Sequence, residues 1–414
     1  MKALREHPVA ERLRQVDQRI LVGLAVVAAI ALPFFFNSGD PFIDDAMLAL
    51  CYVIMALGLN IIVGFAGLLD LGYVAFFAIG AYTMGWLGSN FFSGAAGGEG
   101  FHFLVTGPAA QLPGVHINFV FVLIAAIIFT TIAGVIIGLP TLRLRGDYIA
   151  VVTLAFGEII GRIAINGDQI RIGGVWDNTI GRLPFFPDIG SAATLTRGKK
   201  GITPVDKVDL PFLDPLTSLN LRGWYFVALG LLLIVLFVNV RLRDSRLGRA
   251  WVAVREDEVA AASMGIPIVK TKLQAYATGA ALGGVSGALL GSYLNTVGAD
   301  QFQFSFSIFV LAMVIVGGLG SIWGVVIGAI LISFFNSYLI PDVLNGLPNA
   351  VGLDFDLTQL SYGIFGFLLV IVMVLRPEGL LPERRRKLEM RGVGAGATAG
   401  AGTDVEIDSL EDKP

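Results

Sequence analysis

The chain has 414 residues, of which 55% are hydrophobic and only 15% are charged, and its mean hydropathy is +0.76. That balance excludes an ordinary soluble domain and predicts a membrane protein with several spans. The formal net charge of −3 gives no broad basic surface for a nucleic-acid backbone, and the single cysteine, Cys51, excludes an intrachain disulfide framework and a multi-cysteine metal site.

The first predicted element is a membrane helix. Five basic residues precede an apolar stretch from Ile20 to Phe36, an order that is also found in secretory signal peptides. No small-residue cleavage pattern follows this stretch, and another apolar run begins almost at once. We therefore interpret it as the first membrane helix of the protein.

Nine further apolar runs follow. A bilayer core of about 30 Å needs roughly 20 apolar residues in helical form, and every backbone polar group inside it must be satisfied within the segment. The ten runs cover residues 20–36, 43–63, 72–90, 117–139, 147–166, 223–240, 273–295, 304–317, 322–340 and 358–375. The predicted fold class is all-α, a polytopic bundle of about ten transmembrane helices.

Basic clusters orient the predicted bundle. They lie at the N-terminus, at Arg143 and Arg145, from Arg241 to Lys272, and from Arg376 to Lys387. Because cytoplasmic loops concentrate Lys and Arg near helix ends, ten helices place all four clusters and both termini in the cytoplasm. The long connection 167–222 is then external, although it carries seven basic residues, because aspartates interleave with them and long loops are weak topogenic signals.

This topology divides the chain into seven parts. They are a cytoplasmic N-terminal segment (1–19), a first transmembrane helix group (20–166), an external loop (167–222), a transmembrane helix (223–240), a cytoplasmic segment (241–272), a second transmembrane helix group (273–376) and a cytoplasmic tail (377–414). From Gly392 onward the tail is rich in Gly and Ala and then acidic, which predicts disorder.

Two glycine-rich junctions interrupt the apolar runs. Ile-Val-Gly with a further glycine occurs at Gly64 and Gly67 and again at Gly317 and Gly320. The repetition indicates related broken-helix hairpins of the kind that often mark a transport pathway, but chance repetition in so apolar a chain is an equal alternative. Asp70 follows the first junction, where capping of the next helix is the simpler interpretation and a place on the pathway the sharper one.

Ionisable groups within membrane helices are costly, so each needs an explanation. Glu158 and Arg162 lie four residues apart on one helix face, either as an ion pair or as a polar lining for a zwitterionic solute. Uncharged polar side chains in apolar runs most often make interhelical hydrogen bonds. The predicted pathway residues are Asn60, Gly64, Gly67, Asp70, Tyr73, Tyr82, Thr153 and Glu158.

Glycines recur at every fourth position in two runs. Such a small-residue face lets another helix backbone approach closely, either as static packing or as a sliding surface, and the two are compatible. The predicted packing residues are Gly279, Gly283, Gly287 and Gly291, with Gly320, Gly324 and Gly328 in the later run.

A polar stretch, residues 244–265, separates the sixth and seventh runs. Its apolar residues Leu247, Ala250, Trp251, Val254 and Ala261 form one predicted helical stripe, and Gly265 and Pro267 end the helix. We predict a short cytoplasmic helix that presents this face to a partner protein. The alternative, a helix on lipid headgroups, expects a more basic polar face than the acidic run 256–258 provides.

This stretch resembles the coupling loop of ABC-importer permeases, and its Leu247-Gly-Arg-Ala-Trp and Arg255-Glu-Asp-Glu segments are similar to the branched-chain amino acid permeases. Further similar segments lie at 58–69, 71–82, 142–150, 157–159, 316–321 and 376–382, so the resemblance covers roughly residues 50–166 and 243–382. Two departures occur. The family's Gly-Gly-Pro-x-Gly-Ile turn reads Gly173-Gly-Val-Trp here, and Glu258-Val-Ala-Ala stands near the place of Glu-Ala-Ala.

The resemblance implies an M-type permease subunit that moves leucine, isoleucine or valine by alternating access in the bacterial inner membrane. It implies as partners a second related permease, two ATP-binding subunits and a periplasmic substrate-binding protein. The residues that it assigns to ATPase coupling are Leu247, Gly248, Arg249, Trp251, Arg255, Glu258, Ala261 and Gly265. Two alternatives stay open, a urea or short-chain amide permease of the same architecture and an ion-coupled secondary carrier using Glu158.

No enzyme motif is present in the sequence. The chain has no G-x-x-x-x-G-K-[ST] loop, so ATP and Mg must bind partner subunits and no cofactor is expected in this chain. His7, His102 and His116 are scattered along the sequence without H-E-x-x-H spacing, and there is no G-x-S-x-G turn. The sequence therefore predicts a transport subunit and no metal site.

Overall fold

A computed structural model of the protein describes residues 18–37, 39–142, 148–178, 189–190, 192–209, 216–217, 220–344, 360–376 and 379–381. Residues 1–17, with His7, the cluster at Arg143 and Arg145, and the tail from 382 onward, including the stretch from Gly392 for which disorder is predicted, lie outside the described residues.

The described chain consists mainly of helices. In chain order these are α1 (Gln18–Ala31), α2 (Pro41–Asn60), α3 (Val74–Leu87), α4 (Phe119–Thr141), α5 (Tyr148–Asn166), α6 (Gly173–Asn178), α7 (Leu221–Asp244), α8 (Arg246–Glu256), α9 (Glu258–Ser263), α10 (Ile268–Leu294), α11 (Phe304–Gly317), α12 (Ile322–Phe334) and α13 (Ser361–Leu375). Each of the ten predicted runs overlaps one of these helices.

Five of these helical segments are long and apolar enough to cross a membrane, namely Pro41–Phe65, Phe119–Thr141, Tyr148–Asn166, Leu221–Asp244 and Ile322–Pro341. Four shorter apolar helices accompany them, at Gly23–Phe34, Val74–Leu87, Phe304–Gly317 and Gly363–Leu375. The protein is thus built largely of apolar helices with several candidate spans, and the number ten remains a prediction.

Helix α10 lies at the centre of the bundle, packed against α2, α3 and α4. Its glycine face makes this possible. A Cβ on Gly279 would lie 2.8 Å from the carbonyl oxygen of Gly58, and one on Gly287 would lie 2.9 Å from the amide nitrogen of Ala81. At Gly287 backbone therefore meets backbone, whereas at Gly279 the Ile62 side chain also lies within 2.7 Å of such a Cβ. Both are close contacts of the kind that small residues allow in lipid. Gly283 and Gly291 contact side chains, namely those of Tyr73, Phe76 and Val297.

Gly324 and Gly328, in the later glycine-rich run, allow α12 to pack closely against α11 and the segment after α13. A Cβ on Gly328 would lie 2.6 Å from Met313 O on α11, and one on Gly324 would lie 2.9 Å from Leu381 O after α13. Gly320 lies in the turn between α11 and α12, with a φ of +83°, rather than on a helix face. Its place in the predicted packing stripe is therefore wrong, because the helix has not yet begun at that residue.

A small sheet, which the all-α prediction lacks, covers one end of the bundle. Strand β3 (Val115–Ile117) pairs antiparallel with β1 (Gly88–Ser89) and parallel with β2 (Phe101–Phe103). Buried His116 contacts Asp206 at 2.7 Å and stacks on His102, with ring centroids 5.3 Å apart. We call this end the sheet end, and the opposite end, which carries residues 61–73 and 318–321 and helices α8 and α9, the junction end.

Residues 244–265 form two helices, where the sequence predicted one. The break is at Asp257, which has an extended backbone (φ −156°, ψ 110°) and whose carboxylate accepts hydrogen bonds from Val259 N and Ala260 N. An aspartate at this position caps a new helix, because it satisfies amide groups that would otherwise lack an acceptor. The segment therefore turns at Asp257 instead of running straight.

Candidate coupling and translocation site

Helix α2 does not end cleanly at the junction end. It continues as a π-helical turn, Ile61–Phe65, and the chain then turns at Gly67, where φ is +70°. The side-chain oxygen of Asn60 accepts a hydrogen bond of 3.0 Å from Gly320 N, and a Cβ on Gly64 would lie 2.6 Å from that same nitrogen. The two glycine-rich junctions predicted from the sequence therefore contact each other directly.

Asp70 lies buried in the first junction but does not cap α3. Its Oδ1 accepts a hydrogen bond of 2.8 Å from Gly72 N, two residues on, whereas the amide of Val74 at the start of α3 donates to the Ser307 hydroxyl. The capping interpretation is wrong because Asp70 is too far from the first turn, whose N-cap position is Tyr73. The carboxylate instead fixes the turn of the junction.

Thr153 and Tyr73 tie this junction to neighbouring helices. The Thr153 hydroxyl on α5 accepts a hydrogen bond of 3.0 Å from Leu71 N, and the Tyr73 hydroxyl donates to Gly279 O on α10 at 2.7 Å. A Cβ on Gly72 would lie 2.7 Å from the carbonyl carbon of Thr153. Six predicted pathway residues thus gather at the junction end, namely Asn60, Gly64, Gly67, Asp70, Tyr73 and Thr153.

The two remaining predicted pathway residues lie elsewhere. Tyr82 is buried toward the other end of α3, with its ring 5.4 Å from that of Phe302. Glu158 lies on an exposed face of α5. The structure does not bring either residue to the junction.

Glu158 and Arg162 are both exposed, and no ion pair of 4.0 Å or less joins them, so the ion-pair interpretation is wrong. Spacing by four puts two side chains on one face but does not make them meet. The exposed positions of α5 form a continuous stripe at helical spacing, comprising Tyr148, Val151, Ala155, Glu158, Ile159, Arg162 and Asn166. This chain leaves a partly charged face of an apolar helix uncovered.

The predicted apolar stripe of residues 244–265 faces inward. Trp251 is fully buried and its indole nitrogen donates a hydrogen bond of 2.9 Å to Thr271 O at the start of α10, while Gly248, Val254 and Ala261 are buried beside it. The prediction that Trp251 and Ala261 face a partner is therefore wrong, because their stripe covers the chain's own bundle. Periodicity identified the apolar face but not the surface that it covers.

Other residues of this segment are exposed. Val259 is 76% and Met264 84% exposed, and Leu247, Arg249, Glu258 and Gly265 also reach the surface. Glu258 pairs with Lys272, and Arg249 donates to Asp244 O. Val259 and Met264 were missed at the sequence level, since both interrupt the stripe that Trp251 defines. We call Leu247, Val259 and Met264 the outer patch.

Arg255 joins the α8–α9 segment to the end of helix α2. Its Nη1 donates a hydrogen bond of 2.6 Å to Gly64 O, its Nη2 contacts Glu256 Oε1 at 2.8 Å, and its side chain packs against Gly67, where a Cβ would lie 3.1 Å from Arg255 Cβ. A cation at a helix C-terminus satisfies carbonyl oxygens that lack an intrahelical donor and interacts favourably with the helix dipole. Two separately predicted sets of residues, for coupling and for the pathway, thus meet at this hydrogen bond.

The described residues include no group of three or more His, Cys, Asp or Glu side chains arranged to hold a metal ion. His102 and His116, which are scattered in the sequence, stack on each other at the sheet end, and His116 Nδ1 lies within hydrogen-bonding distance of the Asp206 carboxylate. The contacts described at the junction end are hydrogen bonds and close packing between helices.

Comparison with known proteins gives a consistent set of similarities. Residues 42–373 match the family described as branched-chain amino acid transport system / permease component. The high-affinity branched-chain amino acid transport system permease protein LivM of Escherichia coli (strain K12) is 35% identical over 380 residues, which are 92% of this chain and 79% of that protein. No solved structure matches the chain.

Two more distant relatives extend this comparison. The probable branched-chain amino acid transport permease protein LivM of Methanocaldococcus jannaschii is 27% identical over 356 residues, covering 80% of this chain and 91% of that protein. The LivH permease protein of the Escherichia coli (strain K12) high-affinity branched-chain amino acid system is 26% identical over 170 residues, covering 41% of this chain and 49% of that protein. The chain is therefore similar to both members of a permease pair.

Proposed function

This chain belongs to the branched-chain amino acid transport permease family, and we propose that it is the M-type subunit that forms the pathway for leucine, isoleucine and valine in an ATP-driven importer. The observation that carries the proposal is the α8–α9 segment, which is fixed to the bundle through Trp251 and Arg255 and still exposes the outer patch to a partner. The chain is not itself an enzyme.

We propose that this chain pairs with a second, related permease. The similarity to both LivM and LivH proteins indicates a permease pair within an ABC importer. Two ATP-binding subunits, which bind ATP and Mg, and a periplasmic substrate-binding protein complete the proposed complex. The multi-pass chain would lie in the bacterial inner membrane with about ten spans. Both termini and the junction end would be in the cytoplasm, and the sheet end would be outside.

The outer patch is the proposed docking surface for an ATP-binding subunit. Two of its side chains, Val259 and Met264, are three-quarters or more exposed, and large exposed apolar side chains on a polar segment are candidates for a protein interface. Acidic Glu256 and Asp257 lie beside this patch and argue against its lying on anionic headgroups. Movement of the ATPase pair would then displace α8 and α9, and Arg255 would transmit that displacement to the end of α2.

The exposed stripe of α5 is the proposed lining of the pathway. A carboxylate and a guanidinium on a helix that is otherwise apolar are too costly to face lipid, so this face requires water, solute or a polar partner surface. The second permease supplies such a surface, and a shared cleft would let Glu158 face an ammonium group and Arg162 a carboxylate. The opposite charges fit the two ends of an amino acid backbone.

The first test is purification of the chain from its native membrane in mild detergent. We expect two ATP-binding subunits and a second permease to co-purify, as measured by quantitative mass spectrometry. Val259→Asp with Met264→Asp should remove the ATP-binding subunits, because a charge is buried in an apolar contact, and should retain the second permease.

Leu104→Asp is the matched control, since Leu104 is 65% exposed at the sheet end and should leave the complex intact. Retention of the ATP-binding subunits by the double variant would refute the outer patch as their docking surface. A solitary chain or a homodimer without ATPase would instead favour an ion-coupled carrier.

The second test is ATP-driven leucine uptake by the complex in proteoliposomes that contain the binding protein. Valine and isoleucine should compete with leucine, whereas urea should not. Glu158→Gln and Arg162→Gln should each lower uptake about tenfold, because a charge-assisted hydrogen bond contributes roughly 1.5–3 kcal/mol. Asp168→Asn, which changes an exposed carboxylate just beyond α5, should have no effect. Unchanged uptake in an assembled Glu158→Gln complex would exclude this face from the pathway.

A further inference from the structure

A pocket opens at the sheet end, away from both the junction and the exposed stripe of α5. It lies between the start of α2, the start of α7 and the end of α10, with the segment around Lys207 as its remaining wall. Its volume is about 400 Å³. Small-molecule sites usually span roughly 300–1,000 Å³, so the pocket has room for a compact organic solute.

Two opposite charges line this pocket without pairing. Tyr293 donates its hydroxyl hydrogen to the Asp44 carboxylate, and its backbone oxygen accepts a hydrogen bond of 3.3 Å from Lys207 Nζ. The charges are therefore held at the two ends of one tyrosine. Within the described part of the chain, neither has an oppositely charged group within 4.0 Å.

Lys207 is in an environment that favours an anionic partner. Its ammonium lies 5.6 Å from the centroid of the Trp224 ring, and desolvation lowers the pKa of Lys207 below its ordinary value. Because burial disfavours the charged form of Lys207, an anion that enters the pocket would stabilise its ammonium group. Asp44 offers the complementary site, since its carboxylate can accept a hydrogen bond from a bound cation as well as from Tyr293.

The pocket also has apolar walls. Leu48 and Leu221 contribute aliphatic surface, and the buried Trp224 ring is fixed by a hydrogen bond of 3.2 Å from its indole nitrogen to Thr217 O. The Trp224 and Tyr293 rings pack edge to face, with centroids 5.2 Å apart. A ligand that carries both charges therefore also finds an apolar surface for its uncharged part.

We propose that this pocket binds a small zwitterion whose ammonium group faces Asp44, whose anionic oxygen group faces Lys207 and whose apolar part packs on Leu48, Leu221 and Trp224. An aliphatic α-amino acid and the headgroup of an ethanolamine phospholipid share this chemistry. The preference for an aliphatic amino acid rests on the proposed function, whereas the zwitterion site does not. At the sheet end, such a site would hold the solute on the side of the membrane where the proposal places its entry.

Binding of radiolabelled leucine to the purified complex, without the binding protein, tests the proposal by equilibrium dialysis. We expect Asp44→Asn and Lys207→Gln each to weaken binding about tenfold or more, since each removes one charge-assisted contact. Glu99→Gln and Lys199→Gln are matched controls, because both residues are exposed and lie outside the pocket, and they should bind as the unaltered complex does. Asparagine can keep the contact with Tyr293, and retention of the partner subunits checks that each variant is folded.

Native mass spectrometry of bound phosphatidylethanolamine forms the second arm. If the pocket variants lose this lipid and leucine does not displace it, the zwitterion site stands and its ligand is a headgroup. Unchanged binding of both leucine and phosphatidylethanolamine in the two variants would overturn the proposal. Unchanged binding in the variants together with normal leucine uptake would refute the pocket alone. The proposed function would be refuted separately, if the unaltered complex showed no ATP-driven uptake.

Discussion

Replacing Gly287 by alanine is expected to destabilise the bundle strongly, whereas the same change at Gly230 leaves its stability unchanged. The new methyl group would overlap the carbonyl group of Phe77 and lie 2.9 Å from Ala81 N, and all of these atoms belong to the backbone of α3. A backbone cannot adjust as the end of a flexible side chain does, so α3 and α10 must separate along their contact. Overpacking typically costs 1–3 kcal/mol, and a helix-to-helix clash belongs at about the upper end of that range.

The measurement is the yield of monodisperse protein in detergent together with its melting temperature. Gly230 on α7 is the matched control, because no atom lies within 4 Å of a Cβ placed there and the residue is exposed. A Gly287→Ala protein that melts at the temperature of the unaltered chain would show that α3 and α10 do not pack as described.

Replacing Arg255 by glutamine is expected to uncouple ATP hydrolysis from uptake while the complex stays assembled. The change removes the charged donor to Gly64 O, so displacement of α8 and α9 would no longer reach the end of α2. A hydrogen bond to a charged group contributes roughly 1.5–3 kcal/mol, which predicts a fall in uptake of about tenfold or more. Arg255→Lys should retain part of the uptake, because lysine keeps the positive charge at the helix end but has a smaller, differently shaped donor group.

The informative measurement is the number of leucine molecules moved per ATP hydrolysed in proteoliposomes. A merely structural role for Arg255 would lower the amount of complex without changing this ratio. Arg246→Gln is the control, because Arg246 is exposed on the same helix and is not among the predicted coupling residues. A normal ratio in assembled Arg255→Gln complexes would exclude this hydrogen bond from the coupling route.

Hydropathy predicted the positions of the long helices well, because an apolar run of membrane length has few alternatives to a helix. It could not predict the sheet. Strands of two or three residues, such as Gly88–Ser89, are too short to show an alternating pattern. They also contact Asp206 and Val205, which lie 90 residues after His116 and 116 residues after Ser89.

The candidate site was predictable in its residue types and not in its contacts. Ile-Val-Gly repeats indicated two broken helices, but the hydrogen bond from Gly320 N to Asn60 joins residues 260 positions apart. The amphipathic pattern around Trp251 indicated an apolar face, yet the same pattern arises whether that face covers a partner or the chain's own bundle. Glu158 and Arg162 had the spacing of an ion pair, but the side chains remain separate on an exposed face.

The contacts of α2 have a consequence for biogenesis. This helix packs against α7, α10, α11 and α12, all of which are synthesised after residue 220, and Asn60 receives its hydrogen bond from Gly320. During translation α2 is therefore inserted into the bilayer before most of the helices that it contacts. At that stage the Asn60 carboxamide still lacks its hydrogen bond from Gly320. Release from the insertion machinery before α12 emerges would expose a polar group to lipid, so the last third of the chain completes a core that its second helix began.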